Sequence, residues 1–264
     1  MDILTAFGQL GFGFVSLFVG IGLLLFGGNL LVDGGVAIAR RLGISALIIG
    51  LTIIAFSTSS PELALNIVAA LNGNSELSLG NIFGSNIANL GLVLGIGALI
   101  CKLPVTSQVV KWELPWLATT TLIVCIITLF AGSKIAPAPL QGLGVVWGIL
   151  FLILFSISMW KWYSLGKKQS VLGDQSTEEV LSNESSLVSG LAKLIGGLIV
   201  LGVGGKFAEM GAVNAAITMG MSQMVIGVTI VAVATSLPEI VTTIIAAKKG
   251  YPDLAVGNVI GSNL

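Results

Sequence analysis

The sequence predicts an all-α integral membrane protein, a multi-span helical bundle built from two inverted-topology repeats. Of 264 residues, 55% are hydrophobic and only 9% charged, whereas a soluble domain carries about 25% charged residues; mean hydropathy is +1.03. The second observation is an internal repeat. The segment around Gly50 superimposes without gaps on that around Gly227, matching Thr52/Thr229, Ala55/Ala232, Thr58/Thr235, Ser59/Ser236, Pro61/Pro238, Glu62/Glu239 and Gly73/Gly250. The match runs on through Gly80/Gly257, Asn81/Asn258, Gly84/Gly261, Ser85/Ser262 and Asn86/Asn263, and upstream through Gly28/Gly205, Ala39/Ala216, Gly43/Gly220 and Ser45/Ser222. The duplicated unit therefore includes the preceding helix.

Apolar runs near 11–38, 44–71, 77–100, 113–132 and 138–160 each reach the roughly 20 residues that cross a bilayer. They form the first repeat, residues 1–162. A polar stretch over 163–189, with Lys167, Lys168, Asp174, Glu178, Glu179 and Glu184, reads as a solvated linker. The second repeat, 190–264, holds runs near 190–218 and 222–247 and the start of an eighth helix near Leu254, inside which the sequence stops. A plan of five helices per repeat places the remainder of the second repeat after Leu264. An odd number of crossings separates corresponding helices, so the repeats lie in opposite orientations. Arg40, Arg41, Lys102, Lys111, Lys161, Lys167, Lys168, Lys193, Lys248 and Lys249 fall on one side and Lys134 on the other. The positive-inside rule then puts the N-terminus outside and the linker in the cytoplasm of a cell, or inner, membrane protein. Asp2 precedes the first run with no basic residue, unlike a cleavable signal, so the first span is expected to be retained.

Zero formal net charge and the absence of His remove a basic nucleic-acid surface, a histidine zinc site and a histidine general base. Cys101 and Cys125 lack metal-ligand or redox spacing and read as packing residues. Gly202, Gly204 and Gly205 follow no strand, so they are no nucleotide loop. Asp33 and Glu209, near the ends of the first and sixth helices, read as interfacial.

The chemistry concentrates in Thr58-Ser59-Ser60-Pro61-Glu62 and Thr235-Ser236-Leu237-Pro238-Glu239. Proline lacks an N–H, so Pro61 is expected to free the Ser57 carbonyl and Pro238 that of Ala234, bending each helix. Thr58 and Ser59 stand four and three residues before Glu62, which predicts hydroxyls on the face of that carboxylate; Thr235, Ser236 and Glu239 repeat the pattern. A charged residue at the bilayer centre costs about 2.5 kcal/mol or more, and neither signature carries a nearby base. Two facing carboxylates among hydroxyls and carbonyls make an oxygen cage suited to Ca²⁺, and Na⁺ fits the same donors. Ser85 and Asn89, four apart, share a helical face and suit added ligands, while Gly80 and Gly84 have a close-packing spacing.

These residues resemble those of the cation/calcium exchanger superfamily, whose two α-repeats carry a Thr-Ser-x-Pro-Glu signature and a Gly-Ser-Asn motif; the bacterial and archaeal sodium/calcium exchangers fit best. The resemblance covers about 27–100 and 204–264 and implies two inverted five-helix halves. It implies that Glu62 and Glu239 bind Ca²⁺ together with backbone oxygens of Thr58 and Thr235. It further implies flanking Na⁺ sites from Ser59, Ser236, Ser85 and Ser262 with the carbonyls of Ala55 and Ala232, and Asn89 in the middle. Ser57 and Ser60 depart from the small or apolar residues usual there, a change that could alter ion preference.

The function expected is secondary antiport, Na⁺ entry driving Ca²⁺ exit by alternating access at one midplane acidic site, with no cofactor, with the two ions and the bilayer as partners, and with no nucleic acid. Helices rich in glycine (Gly20, Gly22, Gly27 and Gly28; Gly196, Gly197, Gly202, Gly204 and Gly205) are expected to slide against the rest. Ca²⁺/H⁺ exchange through the same two Glu residues is the alternative. An intramembrane hydrolase using them as an acid/base pair, or a scaffold moving no ion, lies further off.

Overall fold

The computed structural model describes residues 3–73, 75–100, 102–103, 105, 107, 109–132, 144–170, 187–222, 225, 229–230 and 232–264, and the regular structure among them is helical. The first helix, α1 (Ile3–Leu42), ends in Arg40 and Arg41. Ser45 caps the next helix, α2 (Ala46–Thr58), by accepting from the Ile48 amide, and a π-helical turn at Gly50–Ile54 widens it. A 45° bend leads to α3 (Ser60–Leu71). Next, α4 (Ser75–Ala88) runs through a second π-turn, Asn89–Val93, into α5 (Leu94–Ile100). A third π-turn, Val109–Glu113, opens α6 (Leu114–Ala131), followed by α7 (Val145–Ser170) and α8 (Leu187–Thr218). The short α9 (Ala232–Thr235), α10 (Leu237–Lys248) and α11 (Pro252–Ser262) close the described chain. Five helices, and a sixth span if the α2/α3 pair is one, are long and apolar enough to cross a membrane.

The fifth helix differs from its expected bounds. It starts at Val145 and continues to Ser170, and α8 already begins at Leu187. The stretch expected as a linker over 163–189 is thus helical at both ends, and 171–186 lies outside the described residues. Hydropathy marks where a helix leaves the bilayer, not where it stops, and Lys167, Lys168 and Gln169 are good helix formers in water. Cys101 and Lys134 also lie outside the described residues; Cys125 is a half-buried free thiol.

The repeat is visible in the helix ends. Gly43, Gly73, Gly220 and Gly250 all have positive φ, and they are two pairs in the repeat register. Ile44, Met221 and Tyr251 amides reach back to the Ala39, Ala216 and Ala246 carbonyls, the bond that closes a helix on a left-handed glycine.

The first helices of the two repeats lie antiparallel. Gly13, Gly20, Gly27 and Gly34 of α1, every seventh residue, face Gly211, Gly204, Gly197 and Gly190 of α8. A Cβ on Gly27 would lie 2.7 Å from the Leu201 nitrogen, and one on Gly197 2.5 Å from the Leu31 nitrogen, so only glycine allows this approach. Ser16 Oγ adds a bond to the Phe207 carbonyl at 2.8 Å. These four pairs of glycines join the two helices to each other. Gly28 and Gly35 instead meet Val241 and Ile245 of α10 and Ile49 and Ile54 of α2. The buried core gathers Leu31, Val32, Ile54, Ile245, Leu254 and Ala255 around that junction. Behind it, α2 crosses α11 at Gly50 and Gly257, each of whose added Cβ would stand 3.1 Å from the other's Cα. Gly261 is pressed on the Leu51 carbonyl, so the glycine spacing serves packing in the second repeat, whereas a Cβ added at Gly80 or Gly84 would meet nothing within 4 Å, against the close packing expected there.

Candidate functional site

Both signatures sit at helix breaks. Ser59 (φ −86°, ψ 4°) separates α2 from α3 and Ser236 (φ −87°, ψ 2°) separates α9 from α10; each proline occupies the first turn of the new helix, where its missing N–H is tolerated. Glu62 and Glu239 follow in those first turns, 7% and 1% exposed. A carboxylate there meets the positive end of the helix dipole. The carbonyl of Ser57, expected to be freed by Pro61, instead accepts from Ser60 Oγ at 2.8 Å, and Ser57 Oγ donates to the Ile53 carbonyl at 2.7 Å. Ser57 thus bonds within α2, and Ser60 bonds across the break between α2 and α3. Leu237 holds the position of Ser60 in the second repeat, so that bond has no counterpart there.

The hydroxyls cross between repeats. Ser59 Oγ donates to Glu239 Oε1 at 3.0 Å, not to Glu62 of its own helix, because the helix breaks between Ser59 and Glu62 and one-face spacing no longer applies. Thr58 Oγ1 likewise turns to the second repeat, 3.1 Å from Asn258 Oδ1 and 3.4 Å from Ser262 Oγ, while lying 3.2 Å from the Ala55 carbonyl. That carbonyl also accepts from the Ser59 amide at 3.0 Å. In the second repeat the Ser236 amide reaches Val233 instead of Ala232, and Thr235 is half-buried. Glu62 and Glu239 are within electrostatic reach of one another.

Asn89 opens the second π-turn and is 2% exposed. Ser85, one turn earlier, is half-buried and gives its proton to the Ile82 carbonyl at 3.1 Å. Four oxygens of the expected site are buried without a hydrogen-bond partner among the described residues: Glu62 Oε2, Asn89 Oδ1, Ser236 Oγ and Glu239 Oε2. Buried polar atoms are ordinarily paired, and three of these four are acceptors only. No cluster of three or more His, Cys, Asp or Glu occurs among the described residues, so any cation here would rest on two carboxylates and neutral oxygens.

The structure adds residues that sequence reading passed over. Asn258 is fully buried and donates from Nδ2 to Thr243 Oγ1 at 3.1 Å while accepting from Thr58. Its repeat mate Asn81 donates to Asn66 Oδ1 at 3.2 Å, and Asn66 and Thr243 are themselves equivalent in the register. The Asn81/Asn258 identity was a signal, but the unlike partners hid the pair. Glu113, a third acid with no exposure, lies one turn from Val109 and Leu117 in the separate cluster around Trp162. Asp33 and Glu209, expected as interfacial, pair with Lys249 at 2.6 Å and Lys206 at 3.0 Å.

Two spans of this chain, residues 12–162 and 189–264, match the family described as sodium/calcium exchanger protein. The chain belongs to the sodium/calcium exchanger family. It is 37% identical over 253 residues to the putative antiporter CaxA of Alkalimonas amylolytica, covering 95% of this chain and 76% of the relative. It is 31% identical over 277 residues to the sodium/calcium exchanger MaX1 of Methanosarcina acetivorans, covering 95% of this chain and 79% of that one. A solved structure of the sodium-calcium exchanger NCX_Mj superimposes with a TM-score of 0.78 at 33% identity over 96% of this chain and 79% of the other. The exchanger studied here thus spans about three quarters of the length of these relatives and is a multi-pass membrane protein of a transporter family. Its relatives are exchangers, not enzymes, which removes the hydrolase reading of the paired acids.

Proposed function

We propose that this exchanger lets Na⁺ move down its gradient to drive Ca²⁺ out of the cell, both ions competing for one site between Glu62 and Glu239. The four partnerless buried oxygens, Glu62 Oε2, Glu239 Oε2, Asn89 Oδ1 and Ser236 Oγ, carry this reading. Two carboxylates balance one Ca²⁺, which takes 6 to 8 oxygens, and carbonyls of Thr58 and Thr235 extend the set. Ser59, Ser85 and Ser262 with the Ala55 and Ala232 carbonyls would hold Na⁺ on either flank. The same carboxylates cannot balance both loads at once, so occupancy by one ion excludes the other, and that exclusion couples the fluxes.

Access alternates as the α1–α8 pair moves as one body over the site, since its glycine ladder leaves no room for slippage between the two helices. The ends bearing Arg40, Arg41, Lys248 and Lys249 face the cytoplasm of a cell-membrane protein whose N-terminus is outside.

Radiolabelled Ca²⁺ uptake into Na⁺-loaded proteoliposomes tests the proposal, with Glu62→Gln and Glu239→Gln beside the parent. Uptake that needs the Na⁺ gradient and vanishes in both variants supports it. Uptake that ignores Na⁺ and follows a proton gradient replaces Na⁺ by H⁺ as the coupling ion, and uptake that persists in both variants overturns the site.

A further inference from the structure

The end of α1 is fastened to the corner between α10 and α11 by side chains from opposite ends of the sequence. Lys249 Nζ donates to Asp33 Oδ1 at 2.6 Å and lies 3.5 Å from the Asn29 carbonyl. Two turns further along α1, Arg40 Nη2 donates to Tyr251 OH at 3.1 Å. The Asp33 side chain is 45% exposed and that of Lys249 29%, so the pair sits at the water boundary. Arg41 and Lys248 are also exposed on this face, and Asp253 of α11 is engaged elsewhere.

Beneath these bonds α1 covers the stretch of α10 that leads to Glu239. Glu239, Thr242 and Lys249 follow one another along α10 and its end, and Gly28 of α1 lies over Thr242, Val241 and Ile245. Thr242 Oγ1 is buried without a partner. A polar atom sealed under an apolar helix, three residues on from Glu239, marks where an ion would pass once α1 lifts.

The repeat-equivalent positions carry no charged residue. In the repeat register Asp33 corresponds to Met210, Lys249 to Asn72, Arg40 to Ile217 and Tyr251 to Asn74. Met210 is 46% exposed. Two equal halves would give two access states of similar energy; an ion pair between helices at these positions of one repeat only breaks that balance, since Lys206 and Glu209 pair within α8 itself.

We infer that Asp33 and Lys249, backed by Arg40 and Tyr251, form an ionic latch that biases the exchanger towards the state closed on the Arg40 face. The inference rests on the alternating-access reading. The latch is part-exposed, so its effect is modest and screened by salt.

The test is the labelling rate of Thr242→Cys by a membrane-impermeant thiol reagent applied from the Arg40 face, in a background with Cys101 and Cys125 replaced by Ser. Asp33→Asn and Lys249→Gln should each raise the rate by about two- to fivefold at low ionic strength, and the gain should shrink in concentrated choline chloride. The exchanged pair Asp33→Lys with Lys249→Asp should restore the parent rate. Unchanged rates in both single variants, with unaltered thermal unfolding, would overturn the latch, as would failure of the exchanged pair to restore the rate. Labelling is read without transported ions, so a wrong coupling ion would show in the flux assay and leave this result standing.

Discussion

Ser59 Oγ donates to Glu239 Oε1 at 3.0 Å, while Ser236, the repeat mate of Ser59, is fully buried with no partner for its hydroxyl. The two halves are therefore unequal: one carboxylate holds a hydroxyl from the other repeat, and the second hydroxyl has no partner among the described residues.

Replacing the two serines should separate these states. A hydrogen bond to a charged group contributes about 1.5–3 kcal/mol, so Ser59→Ala should lower thermal stability without ions. Ser236→Ala should leave that baseline alone and reduce the stabilisation gained on adding Ca²⁺ or Na⁺. Thermal unfolding in detergent, with and without each ion, reads both effects; equal losses without ions would contradict the asymmetry.

The carboxylates should also be visible by linkage. An ion that binds only the folded protein stabilises it by about 2.7 kcal/mol at a concentration 100 times its dissociation constant. Ca²⁺ should raise the unfolding temperature of the parent, and neither Glu62→Gln nor Glu239→Gln should respond.

The glycine ladder predicts a position-specific penalty. Gly27→Ala and Gly197→Ala place a methyl group on backbone atoms of the partner helix and should each cost about 1–3 kcal/mol, as overpacking does. Gly22→Ala, with nothing within 4 Å of the added carbon, should be neutral in the same unfolding assay.

Asn258 ties three helices through Thr58 and Thr243. Asn258→Leu removes the bond to the buried Thr243 hydroxyl, while Thr58 keeps the Ala55 carbonyl, and should cost about 1–3 kcal/mol, as for a buried group left unpaired. Asn81→Leu should cost less, since Asn81 is only half-buried. Comparing the two unfolding midpoints checks the order.

Much of this protein was legible in the chain. Helical spans follow from apolar run length, because a backbone in lipid must satisfy its own hydrogen bonds. The gap-free repeat register paired the four positive-φ glycines and both signatures, and the buried acids without basic neighbours marked the candidate site. What failed to read through was direction. Ser59 was placed with Glu62 by helical spacing, yet the break at Ser59 turns it to Glu239. Ser57 and Ser60 stood out only as departures from the superfamily pattern, and their bonds to the Ile53 and Ser57 carbonyls, the second across the helix break, were not legible.

The sequence by itself determined the membrane class, the duplication and the identity of the two acids, since these depend on composition and on comparison along one chain. Only the tertiary structure decided which hydroxyl meets which carboxylate, that α1 and α8 lock through glycines every seventh residue, and that Asp33 meets Lys249. Those relations join residues about two hundred positions apart, and their geometry is set by how two antiparallel repeats pack. Local spacing carries no information about that packing.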